Sequence, residues 1–269
     1  SMVRVGLVGC GTIGSRLALE VQRRHSRHAR IAALHDSDRT RARALQQQLH
    51  PAPPIVSLPQ LIRRSQLVIE AASADAAREV VPLALRARRD VFVMSVGGLL
   101  PDRRWSALAR RVGRRVYVPS GALAGLDGVA AMAVGRIRRM SLTTRKPPRA
   151  LAGAPGMGRA RRTLARLARP VTVFDGSPEE AVRRFPQNTN VAAALALAGG
   201  NAMTRRRIRV VADPTLRRNV HELDVESDCG RIRCRIESRP SANPKTSELA
   251  VRSAVATLGR LFEPVLIGT

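Results

Sequence analysis

Six residues near the start, Gly9-Cys10-Gly11-Thr12-Ile13-Gly14, carry glycine at the first, third and sixth places. They sit between a short apolar run, Val3–Val8, and a segment in which Ile13, Leu17 and Val21 recur every fourth residue. A strand, turn and helix of this kind can hold a pyrophosphate. The first glycine permits the tight turn, the second lets the backbone approach the phosphates, and the third allows close helix–strand packing. The helix N-terminus then faces the anion. Asp36, 22 positions beyond Gly14 at the end of the next strand-like run, is placed to accept ribose hydroxyls. Gly9, Gly11, Thr12, Ile13, Gly14 and Asp36 are therefore candidate dinucleotide-binding residues. The acidic residue favours NAD, while Arg39 close by could pair with a 2′-phosphate and leaves NADP open.

Candidate proton-transfer groups are few. His25, His28, His35 and His50 lie among Arg, Ser and Gln near element ends and are assigned no role. His221 alternates with Leu223 and Val225 on an apolar strand face. A histidine there is either a core residue or a base, and the pattern alone leaves both open. The run Phe185–Asn190 (FPQNTN) precedes a helix, and its asparagines read equally well as caps or as ligands. The three cysteines, Cys10, Cys229 and Cys234, are an odd number without a CxxC pair. No disulfide framework or metal site is expected, and a reducing cytoplasm fits best. Cys10 reads as a small packing residue of the glycine loop.

The elements that must position these residues fall into two groups. Residues 1–120 alternate strand and helix signals, the pattern of a parallel α/β sheet. The strands expected are Val3–Val8, Ile31–Leu34, a short Ile55–Val56, Leu67–Ala72, Val91–Ser95 and Arg115–Val118, in the order 3-2-1-4-5-6 of a doubly wound Rossmann sheet. Residues 121–242 are expected to form a second α/β domain with a mixed or antiparallel sheet, beginning with a long strand over Arg136–Arg145. Pro147–Gly158 reads as a Pro/Gly-rich loop. Glu222, Asp224 and Glu226 alternate with apolar residues, as do Arg231, Arg233 and Arg235. A hairpin pairing 226 with 231, 224 with 233 and 222 with 235 sets opposite charges across from each other. Asn243-Pro244 reads as the N-cap and first residue of a C-terminal helix, with 243–269 packing back on the first domain.

The 269 residues carry 47 Lys+Arg against 20 Asp+Glu, a net charge of +27. Such a charge raises nucleic-acid binding, but 45 of the basic residues are arginines spread along the whole chain, a skew that looks like codon bias. Six aromatic residues are too few for a base-stacking platform, so no nucleic-acid partner is expected. The chain enters a strand at once without a signal-peptide pattern, and no apolar run is long enough to span a bilayer.

Taken together, GCGTIG at 9–14, VMSVGGL at 93–99, PSGALAGLDG at 119–128, FPQNTNVAA at 185–193, ADP at 212–214, NVHEL at 219–223 and NPKTS at 243–247 resemble the L-aspartate dehydrogenase family, in order and over almost the whole length. The resemblance implies NAD(P)-dependent oxidation of L-aspartate to iminoaspartate. The product then enters NAD biosynthesis or hydrolyses to oxaloacetate and ammonia. It also implies a homodimer, nicotinamide contacts at Ala124 and Asn190, and His221 as the catalytic histidine, a base titrating near neutrality. A dicarboxylate needs cationic partners. Lys245, in the first turn of the last helix, is the candidate, with Lys146 and Arg145 behind it. Other readings kept open are a homoserine dehydrogenase-like or dihydrodipicolinate reductase-like oxidoreductase and, behind these, a non-catalytic NAD-sensing or nucleic-acid-binding protein.

Overall fold

A computed structural model describes residues 2–186, 190–200, 205–241 and 246–267. It divides into two compact units, one of Ser1–Pro119 with Ala254–Leu266 and the other centred on Ser120–Ser253.

The first unit is built of β1 (Val3–Val8), α1 (Thr12–Arg24), β2 (Ala29–His35), α2 (Arg39–Gln46), α3 (Leu58–Arg64), β3 (Leu67–Glu70), α4 (Ala74–Arg86), β4 (Asp90–Val93), α5 (Arg104–Val112) and β5 (Val116–Tyr117). The strands form one parallel sheet in the order β2-β1-β3-β4-β5. The expected third strand shrinks to a single bridge, Ile55 beside Leu34. Pro51, Pro53 and Pro54 precede it and lack the N–H groups a longer ladder requires. Counting that bridge, the order is the expected 3-2-1-4-5-6. Val5 and Leu7 of β1, Ile69 of β3 and Phe92 of β4 bury one face against Leu17 and Val21 of α1 and Leu45 of α2. Val68, Val91 and Val93 bury the other against Leu61 and Ile62 of α3, Val80, Val81 and Leu85 of α4 and Leu108 of α5. Apolar residues on both sides of each strand are what a parallel sheet covered by helices requires. Local chemistry sets the helix starts. Asp38 accepts from the Thr40 N–H and Ser73 from the Ala76 N–H, while Ser57 and Gln60 close a capping box on α3.

The second unit contains α6 (Leu126–Met132), β6 (Ile137–Lys146), α7 (Pro148–Leu151), β7 (Val171–Gly176), α8 (Pro178–Arg184), α9 (Asn190–Ala198), β8 (Arg206–Ala212), β9 (Asn219–Ser227) and β10 (Arg231–Ser238). Its sheet runs β10-β9-β6-β8-β7. Only β6 and β8 are parallel, so the sheet is mixed. Two features depart from expectation. α6 lies where no helix was read, and the expected loop over Pro147–Gly158 includes α7 and the start of the 3-10 turn Pro155–Arg162. Proline at the first turn of α7 starts a helix instead of breaking one. One sheet face carries Met140 and Leu142, Ile208 and Val210, Leu223 and Val225, packed against Val129 and Met132 of α6 and Ala192 and Leu195 of α9. α9, with the sequence NVAAALALA, is apolar all round and buried.

The hairpin has the expected register, Glu226 opposite Arg231, Asp224 opposite Arg233 and Glu222 opposite Arg235. The ion pairs do not follow it strictly. Asp224 takes both Arg231 and Arg233, while Glu226 reaches Arg139 on β6 at 3.2 Å. Long arginine side chains span the diagonal as easily as the direct step.

The final helix, α10 (Glu248–Arg260), starts later than Asn243-Pro244, which lie outside the described residues. Ser247 caps it, accepting from the Ala250 N–H at 3.1 Å. Its later residues Ala254 and Leu258 pack with Val5, Leu7 and Leu17 of the first unit.

Candidate active site

The loop after β1 has three glycines in three different situations. Gly9 has φ +93°, and a Cβ there would lie 2.6 Å from the Ala71 carbonyl. Gly14 sits so close to the strand end that a Cβ would fall 1.9 Å from the Gly9 oxygen. Gly11 differs, for a Cβ on it would meet nothing within 4 Å. Its lack of a side chain leaves open space beside the start of α1. That helix begins with Gly11 as N-cap, without a capping side chain and without an acid in its first turn. Its first N–H groups, at Thr12, Ile13 and Gly14, therefore keep their donors and the positive end of the dipole for an anion. The residues fit a dinucleotide pyrophosphate.

Asp36, just beyond β2, is drawn to the same loop. Its Oδ2 accepts from the Cys10 N–H at 2.6 Å and its Oδ1 from the Asp38 N–H at 2.8 Å. Arg39 is exposed at the start of α2. The Cys10 thiol is buried, and burial together with the Asp36 charge pushes it up to about 12. It stays protonated and acts as packing.

Glu70 was read only as part of a buried strand. It ends β3 with no exposed surface. Its Oε1 accepts from the Ala72 N–H, the Ser73 N–H and the Ser95 hydroxyl, and its Oε2 from the Ser95 N–H at 3.0 Å. Burial raises its pKa, and these four bonds offset only part of the rise. One carboxylate thus ties together the turns that follow β3 and β4, at the carboxyl edge where ligands of open α/β sheets bind. A charged residue inside the apolar run LVIEAA was the available signal.

In the second unit, the apolar sheet face turns polar at one end. Along β6 the inward positions read Met140, Leu142, Thr144, Lys146. Along β9 they read Val225, Leu223, His221, Asn219. Thr144 and His221 are register partners, and the Thr144 hydroxyl lies 3.0 Å from His221 Nδ1. His221 is 3% exposed and Lys146 5%. Burial brings the Lys146 amine down to about 8. Burial first, and the Lys146 charge second, bring His221 down to about 3. His221 is therefore neutral at neutral pH, and the group titrating closest to neutrality is Lys146, not the expected histidine.

The loop Gly121–Gly125 is held at both ends. Gly121 approaches Val191, next to Asn190 at the start of α9, while Gly125 approaches Cys234 and Leu223. Ala124 lies between those two glycines and is exposed. Arg145 does not join them. It points to the other face and pairs with Glu222 at 3.0 Å. Lys245 lies outside the described residues, as do 187–189 of the FPQNTN run. Among the described residues no group of acids, histidines and cysteines could hold a metal, and no helix is long and apolar enough to cross a membrane.

Comparison with known proteins joins the two halves. Residues 9–119 match the NAD-binding domain of homoserine dehydrogenase, and residues 127–261 match the C-terminal domain of aspartate dehydrogenase. A Rossmann unit with its glycine loop, followed by a mixed-sheet unit of this type, defines an NAD(P)-dependent oxidoreductase. L-aspartate dehydrogenase of Methanosarcina barkeri is 42% identical over 273 residues, and that of Bradyrhizobium diazoefficiens 36% over 269, the alignments covering all of this chain and all or 95% of theirs. The crystal structure of aspartate dehydrogenase from Thermotoga maritima superposes with a TM-score of 0.72 at 25% identity, over the full length of both chains. The chain belongs to the L-aspartate dehydrogenase family.

Proposed function

We propose that this protein oxidises L-aspartate to iminoaspartate with NAD⁺ or NADP⁺. The observation that carries the proposal is the buried polar end of the second sheet, where a histidine and an ammonium share one face, in a chain of this family. In this reading residues 1–120 hold the dinucleotide, Gly9, Gly11, Thr12, Ile13 and Gly14 cradling the pyrophosphate and Asp36 the ribose. Ala124 and Asn190 contact the nicotinamide. Residues 121–242 supply the chemistry and the dimer contact, with the last helix packing back on the nucleotide unit.

When bound, the cofactor supplies an acceptor for the two electrons leaving aspartate Cα. The chain's own task is proton handling and orientation. The substrate ammonium must lose a proton before its nitrogen can form C=N, since only then does it hold a lone pair. His221 Nε2 takes that proton when Nδ1–H is donated to Thr144, the tautomer the 3.0 Å contact permits. With a proton affinity as low as about 3 the imidazole is a weak base on its own. A substrate carboxylate beside it raises that affinity, because an adjacent negative charge favours the imidazolium.

Lys245 remains a proposed substrate contact on the sequence pattern alone, as a cation expected near the start of the last helix. The protein is proposed to be a cytoplasmic homodimer joined through the sheet of its second unit, acting on a small molecule, with its product consumed in NAD biosynthesis. The test is cofactor reduction, read by absorbance, across a panel of amino acids with NAD⁺ and NADP⁺. Aspartate should exceed every other amino acid, and homoserine in its place would overturn the proposal.

A further inference from the structure

We propose that Lys146 anchors one of the substrate's two carboxylates and so makes the site select dicarboxylates. The inference rests on the oxidoreductase reading above. It starts from composition. Of 47 basic residues only Lys146 and Lys245 are lysines, in a chain that places arginine at the other 45 basic positions. A guanidinium is a wide planar fork that cannot shed its charge, whereas an ammonium is compact and responds to its surroundings. Lysine at a buried position in so arginine-rich a chain points to a need for the compact group.

Position is the second ground. Lys146 follows Thr144 by two residues on β6, so both side chains leave the same sheet face, and Thr144 is the register partner of His221. Two strand residues span about 6.6 Å. Lys146 thus stands one inward step along the sheet from the His221–Thr144 pair, on the same face, so a short amino acid can set its nitrogen at one and a carboxylate at the other. Arg145, the neighbouring cation, is turned away and held by Glu222.

Energetics is the third. Burial of an ammonium to 5% exposure opposes its charge, and the amine is brought down to about 8. An incoming carboxylate reverses that effect, since the pair is attracted more strongly where water is scarce. The same anion offsets the repulsion that Lys146 exerts on the His221 imidazolium. Anchoring the substrate and readying the base are thus one event.

The experiment is calorimetric titration of the full chain, saturated with NAD⁺, with succinate, which has both carboxylates and no amine, and with butyrate, which has one. In Lys146→Met and Lys146→Gln succinate should bind at least thirtyfold more weakly. Butyrate affinity should change by less than threefold and NAD⁺ affinity by less than twofold. The ratio of kcat/KM for aspartate over asparagine should fall by a similar factor, a change that a loss of packing alone does not produce. Succinate affinity within threefold of the wild type in both folded variants overturns the proposal, as does a wild type that binds no succinate. A wild type that binds succinate through Lys146 but does not oxidise aspartate upholds the anchor and removes the activity instead.

Discussion

Replacing Lys146 by methionine should remove a pH dependence from the stability of the free protein. Burial lowers the amine from its ordinary 10.5 to about 8. Each power of ten in proton affinity is worth about 1.36 kcal/mol, so keeping Lys146 charged in the folded chain costs about 3 kcal/mol. Below about pH 8 both folded and unfolded chains hold the proton, and the whole cost is present. Between about pH 8 and 10.5 the unfolded chain binds more protons at this residue, so wild-type stability gains with rising pH. Above that window both states are neutral and the cost is gone. Methionine keeps an unbranched chain of similar length without the charge. The stability difference between variant and wild type should therefore move in favour of the wild type by about 3 kcal/mol from about pH 7 to 10.5, because methionine does not titrate. Urea unfolding of both proteins from about pH 7 to 10 measures it. Succinate at a hundred times its wild-type dissociation constant should add about 2.7 kcal/mol to the wild type and at most about 0.9 kcal/mol to the variant. A stability difference that stays constant with pH refutes the reasoning.

For His221→Ala, kcat per folded enzyme should drop by about 10²–10⁴-fold while the NADH dissociation constant stays within twofold; a kcat within threefold of the wild type would make the histidine structural. Glu70→Ala strips the acceptor from the Ala72, Ser73 and Ser95 N–H groups. It should cost on the order of 3 kcal/mol and speed hydrogen exchange at those three amides, and a loss below about 1 kcal/mol would count against the tie. Gly11→Ala and Gly14→Ala should part company. The first adds a methyl to open space and should keep stability within about 0.5 kcal/mol, yet raise the cofactor dissociation constant at least tenfold. The second drives a methyl into the Gly9 carbonyl and should lose both stability and binding. Equal effects of the two substitutions would show that the open space beside Gly11 is not the phosphate cradle.

What could be read from the chain alone was what local spacing encodes. Glycines at 9, 11 and 14 specify a turn between strand and helix whatever lies elsewhere, because they act through backbone geometry and close packing. The register of β9 with β10 followed from alternation, since a slip by one residue would set charges against apolar side chains. The starts of α3 and α8 are likewise local, each with a serine N-cap, a proline in the first turn and a capping box. The family resemblance then named His221, which alternation had placed only on a buried face. Proton affinities, by contrast, depend on which charges the fold buries side by side. Thr144 and His221 are separated by 77 residues in sequence and 3.0 Å in space. Lys146 enters their neighbourhood only because β6 pairs with β9, so neither its own lowered proton affinity nor its effect on His221 has any trace in local spacing. Glu70 is the same case in the first unit. Its four donors come from two turns that are far apart until β3 and β4 lie side by side, and burial with long-range partners is a property of the assembled sheet, not of a stretch of sequence.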